Sequence, residues 1–224
     1  ADGFLEQDKY DPEEWQAVID LFESMATSSL CDESTKKMYN AMMEFALKVL
    51  SSEYDAWKYM NAIRIVRICM MSRSLDSLSD KTMEIVFQAI ESPPLKVPRS
   101  IRDEMFEYRF YTLEALTCCL NSSCKSLRKR IFELSEKTLS VSGCKPGPIS
   151  CVLRTIGMTL PCVLDENDAE NVRSRVSKVI ENADEIMVEC ANVSGLECVY
   201  SAFADMVFHT DLLRCRILNE TPDS

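Results

Sequence analysis

The spacing of amphipathic segments constrains this chain more than any single residue does. Helical patterns open at Lys36, Lys81, Lys125 and Asn171, at intervals of 45, 44 and 46 residues. Each shows apolar residues recurring along one face of a helix. Each is followed by a second, more apolar helical pattern, over residues 62–73, 112–123, 152–163 and 198–209. A two-helix unit of this length cannot bury its apolar faces alone, so neighbouring units stack into a continuous core. The pattern predicts an all-α chain of stacked helical hairpins.

Leu, Met, Ala, Glu, Lys and Arg dominate, all good helix formers, and the alternating runs of half-buried strands are missing. Residues 1–10 read as a flexible acidic lead-in, 11–217 as a single helical-repeat domain and 218–224 as a flexible tail. Asp11-Pro12-Glu13-Glu14 is a helix start: a capping carboxylate, a proline at the first helical position and acids in the first turn. The first 33 residues hold ten acids against Lys9 alone, which predicts an acidic outer face on this helix, suited to capping a stack. Asp32 or Ser34 caps the next helix, Ser79-Asp80 a later one, and Asn167-Asp168 another. Pro93-Pro94 and Pro98 end a helix, because proline lacks the amide hydrogen and excludes helix at the preceding residue. The cluster Gly143-Cys144-Lys145-Pro146-Gly147-Pro148 predicts a break, with a helix from Ile149 to Leu164 whose end Pro161 kinks. Ser194-Gly195 separates the last two helices.

The net charge of −11 is unevenly spread: −7 over residues 1–80, +4 over 81–160 and −8 over 161–224. An acidic chain is repelled by phosphate backbones, which disfavours general nucleic-acid binding. Only residues 125–130 concentrate positive charge, as Lys125, Arg128, Lys129 and Arg130. No apolar run is long enough to span a membrane. Eleven cysteines without a C-x-x-C pair, beside one histidine, offer no zinc ligand set. Most sit among apolar residues as small hydrophobes, and the odd count suits a reducing cytoplasm or nucleus. The glycosylation triplets at Asn121, Asn192 and Asn219 point the other way. His209, with Asp205 one turn earlier, is the one place a nucleophile system could centre, and a structural histidine is the simpler reading. Adjacent carboxylates such as Asp103-Glu104 diverge on a helix. With no phosphate loop or metalloprotease motif, the expectation is a protein without enzymatic activity, catalytic residues, metal or cofactor.

Aligned without gaps, the four second helices give three apolar columns: Ile63/Leu113/Leu153/Val199, Val66/Leu116/Ile156/Ala202 and Met70/Leu120/Leu160/Met206. Beside them runs a polar or amphipathic column of Arg64, Glu114, Arg154 and Tyr200. This pattern resembles HEAT or armadillo-type helical repeats over roughly residues 31–216. The regular proline and Asp/Arg positions of well-formed HEAT units, and the regular armadillo glycine turn, are absent. The resemblance implies a right-handed superhelical stack whose second helices line a binding surface; a compact multi-helix bundle is the alternative.

On that reading Arg64, Arg67, Glu114, Arg154 and Tyr200 face a groove, where the arginines could hold an acidic peptide through charge-assisted hydrogen bonds. Simple solvation is the competing reading for each. The patch of Lys125, Arg128, Lys129 and Arg130 is a second candidate surface for acidic protein or nucleic acid. The leading expectation is a non-enzymatic interaction domain that binds a peptide segment or amphipathic helix of a partner protein in a cytosolic or nuclear assembly. An RNA-processing or chromatin adaptor, or a regulatory domain of a small GTPase or phosphatase, are the alternatives.

Overall fold

The computed structural model describes residues 12–26, 33–52, 55–72, 78–120, 124–139, 145–165, 167–190 and 197–219. Among the described residues there are nine α-helices, one short 3-10 turn and no strand, so the chain is all-α. It divides into two compact units, Ala1–Cys119 and Leu120–Ser224. The expected lead-in, the caps at Asp11 and Asp32, the Gly143-Cys144 break, the Ser194-Gly195 separator and residues 220–224 lie outside the described residues.

The first unit holds α1 (Pro12–Ala26), α2 (Glu33–Leu50), α3 (Ala56–Met71), α4 (Asp80–Glu91) and α5 (Arg99–Cys119). At its centre, α3 packs against α1, α2 and α5, which is why its pattern is apolar almost all round. Twelve of its 16 residues are buried, Arg64 and Asn61 among them. Asp55 caps it by accepting the Lys58 N–H at 2.8 Å. The helices also pair by kind, α2 with α4 and α3 with α5. Polar side chains tie the layers together. The Tyr59 hydroxyl donates to the Ala89 carbonyl at 2.8 Å. The Thr112 hydroxyl reaches the carbonyls of Tyr108 at 2.7 Å and Ile63 at 3.3 Å. Arg109 donates twice to the Ile90 carbonyl, at 3.0 and 2.6 Å, satisfying an acceptor that the end of α4 leaves open.

The second unit repeats this wiring with α6 (Lys125–Leu139), α7 (Pro146–Thr159), α8 (Ala169–Cys190) and α9 (Glu197–Leu218). Within it α6 packs on α7 and α8, and α9 on α7 and α8. Val172, Val176, Val179, Ala183 and Met187 form the buried stripe of α8. Gly157 of α7 faces α9, where an added Cβ would lie 3.6 Å from Met206 Cα, in ordinary van der Waals contact.

Every member of the three apolar columns is buried, from 0% exposure at Ile63, Leu113, Leu153 and Val199 to 8% at Met70. Ser79 and Asp168 cap as expected, accepting the Thr82 and Asn171 N–H groups at 3.1 and 3.0 Å. The helix after the Pro/Gly cluster differs. It begins at Pro146 rather than Ile149, because a proline in the first turn forfeits no hydrogen bond. It also ends earlier, with Thr159, and Pro161 sits in a 3-10 turn, Leu160–Cys162. The last helix runs through Leu218, one residue into the expected tail.

Candidate protein-interaction surface

Arg64 is not a groove residue open to solvent. It follows Ile63 on α3, but α1 lies across that face and leaves the arginine 3% exposed. Its two terminal nitrogens reach Gln16 Oε1 at 2.7 Å and Asp20 Oδ1 at 3.2 Å. Glu23 stands 3.7 Å away and Glu104, from α5, 3.9 Å away. The guanidinium also lies over the Tyr108 ring, 4.7 Å from its centroid. Its Nε is buried without a hydrogen-bond partner. One turn on, Arg67 pairs with Glu23 at 3.0 Å and lies 5.4 Å from the Tyr111 ring centroid. Burial raises the Tyr108 phenol above its ordinary range, against the lowering influence of Arg64.

This cluster gives two acids of α1 partners on α3 as well as solvent. Asp20 and Glu23, at i and i+3, turn toward the arginines of α3 while keeping 58% and 40% of their side chains in water. Single exposed ion pairs contribute little. A desolvated guanidinium, however, costs several kcal/mol unless charge and hydrogen bonds surround it. Ile19, fully buried, and Trp15, stacked 5.1 Å from Phe45, supply the apolar part of the seat.

The other members of the polar column are more accessible. Glu114 on α5 and Arg154 on α7 are half-buried, and an Arg154 terminal nitrogen lies 3.6 Å from Cys151 Sγ. Tyr200 on α9 is 52% exposed, with Phe208 (61%) and Leu212 (41%) further along the same helix.

The four cations of the basic patch differ in exposure. Lys125 and Lys129 are exposed and Arg130 is half-buried. Arg128 instead turns inward, donating to the Leu120 carbonyl at 2.6 Å and the Met158 carbonyl at 3.3 Å.

His209 is exposed on α9 with its ring edge-on to Phe208, centroids 5.7 Å apart. Asp205 is exposed as well, while Cys215 is buried. Among the described residues no group of three or more His, Cys, Asp or Glu side chains could hold a metal ion. No described helix is long and apolar enough to cross a membrane. Cys69, 0% exposed, donates toward the Tyr39 carbonyl at 3.5 Å, and burial pushes its thiol up to about 12.

The residues that complete the arginine cluster, Gln16, Asp20, Glu23, Tyr108 and Tyr111, escape sequence reasoning. Their one signal is the i, i+4, i+7 polar row of Gln16, Asp20 and Glu23 beside the apolar stripe of α1. No protein-family model, curated protein or solved structure matches this chain.

Proposed function

We propose that this protein is a non-enzymatic interaction domain, a HEAT- or armadillo-like stack of hairpins whose second helices seat a helical segment of a partner protein. The observation that carries the reading is the seat of α1. An amphipathic helix with acids on its polar edge lies against α3, with Arg64 and Arg67 as its ionic contacts. The surface type is thus one that accepts helices. The pairing of α3 with α5 and of α7 with α9 supports the stacked arrangement within each unit. Arg154, the counterpart of Arg64 by alignment, is the arginine this reading offers to an acidic partner. The inward turn of Arg128 weighs against a nucleic-acid adaptor, since it removes a cation from the only concentrated patch.

The test is affinity capture of the full chain from its native cells, with wild type and Arg154→Glu as parallel baits. The expected outcome is a protein partner that survives nuclease treatment and is lost with Arg154→Glu. The variant must keep the wild-type circular dichroism spectrum. A partner retained in full by the folded variant overturns the assignment of this face.

A further inference from the structure

The outward face of α9 carries a row of exposed apolar side chains. Val199, Ala202, Met206 and Thr210 form its buried side. On the opposite side Tyr200, Ala204, Phe208 and Leu212 recur at every fourth position, all exposed. Such i+4 rows are the ridges used in the commonest class of helix–helix packing.

The row has a property that most apolar faces lack, since it is complementary to itself in reverse. A twofold axis at the level of residue 206 places Phe208 of one copy opposite Ala204 of the other. The large ring then meets the smallest side chain of the row, twice. The same axis sets Tyr200 against Leu212. It also brings Glu197, exposed in the first turn, to within one residue of Arg216, exposed in the last. Self-complementarity in shape and in charge is what a twofold interface requires. The antiparallel arrangement also opposes the two helix dipoles favourably.

We infer that α9 is a self-association surface whose occupant is the antiparallel α9 of a second copy of this chain. The inference rests on the reading above only in that this class of surface takes a helix. One helix face buries less than the roughly 800 Å² per partner of a standard interface. The dimer is therefore weak and forms reversibly with concentration.

The experiment is sedimentation equilibrium on the full chain, over a concentration series extending to about 0.5 mM. Four samples are compared: wild type, Phe208→Ala, Ala204→Phe, and an equimolar mixture of the two variants. Both positions are exposed, so neither substitution touches the core. The wild type should show a concentration-dependent monomer–dimer equilibrium. Phe208→Ala leaves two small residues facing each other and Ala204→Phe makes two rings collide, so each alone should weaken dimerisation at least tenfold. In the mixture each contact again pairs one ring with one alanine, so a heterodimer of near wild-type strength should form. A wild type that stays monomeric throughout, or a mixture no tighter than its components, overturns the inference. Either result leaves the outcome with Arg154→Glu to judge the broader reading independently.

Discussion

The two units use the same helix pairing and place aligned arginines in opposite situations. In the first, Arg64 is 3% exposed beneath α1, ringed by Gln16, Asp20, Glu23, Glu104 and Tyr108. In the second, Arg154 is half-buried, and α9 carries Tyr200, Phe208 and Leu212 exposed. An aligned position therefore does not fix a residue's surroundings; what lies across it does. Where a helix precedes the first hairpin, the polar column becomes a buried ionic seat.

Reversing charge at the two aligned arginines should break this comparison most sharply. Arg64→Glu places a carboxylate among Asp20, Glu23 and Glu104. The loss expected in urea denaturation is about 3–5 kcal/mol, that of breaking a buried pair. Arg154→Glu should cost about 1 kcal/mol or less. Equal losses at the two positions would mean that α1 does not protect Arg64 as described.

Alkaline pH should separate the units next. Cys69, Tyr39, Tyr108 and Cys119 all have pKa values raised by burial, and all lie in the first unit. For Cys69 the value moves from 9.0 to about 12. The folded state holds this proton more tightly than the unfolded chain. Its contribution is therefore complete below pH 9 and is lost as pH climbs through 12. The whole displacement corresponds to at most about 4 kcal/mol. Urea midpoints measured from pH 8 to 11 should fall for the wild type and fall less steeply for Cys69→Ala, which starts lower because of the cavity it leaves. Parallel profiles for the two proteins would rule out the thiol as a source of the slope.

A smaller effect distinguishes the two kinds of cation on α6. Arg128→Ala strips a donor from the Leu120 and Met158 carbonyls and should cost about 1–3 kcal/mol. Lys129→Ala, at an exposed neighbouring position, should stay within about 0.5 kcal/mol of wild type. Thermal or urea unfolding of the pair reads this directly.

These contrasts mark where the sequence is legible. Helical periodicity decides which residues face inward, so all members of the columns through Ile63, Val66 and Met70 are buried as read. Proline chemistry ends α4 at Glu91, before Pro93, and side-chain capping starts it at Ser79. These signals are local, acting within one or two turns. The environment of Arg64 is not local. Its partners Gln16 and Asp20 lie 48 and 44 positions away, and no period in the chain announces that α1 crosses α3. The partners of Arg128 are hidden for the same reason. Three cations and Arg128 look alike in sequence, but one points at a carbonyl 30 residues downstream. The start of α7 at Pro146 shows a different limit. The same Pro-Gly-Pro run can break a helix or open one, and which it does depends on whether its apolar continuation finds a core.

The close approach of α7 and α9 gives the smallest and most diagnostic effect. Gly157 lies inside α7, where glycine is less favourable than alanine by about 0.8–1 kcal/mol in helix propensity. If the glycine were required by crowding, adding a methyl group would cost more than propensity returns. The added Cβ would meet Met206 Cα at 3.6 Å and Met206 Cγ at 3.7 Å, ordinary van der Waals separations. Gly157→Ala is therefore expected to stabilise the protein by about 0.5–1 kcal/mol, seen as a higher urea midpoint at unchanged slope. A larger side chain removes the margin, because the atoms beside that methyl are Cα, Cβ and Cγ of Met206, the root of the side chain rather than its flexible tip. Gly157→Leu should reverse the sign by forcing α7 and α9 apart. If Gly157→Ala also destabilises, α7 and α9 lie closer than 3.6 Å allows, and the second unit is packed more tightly than its accessible face suggests.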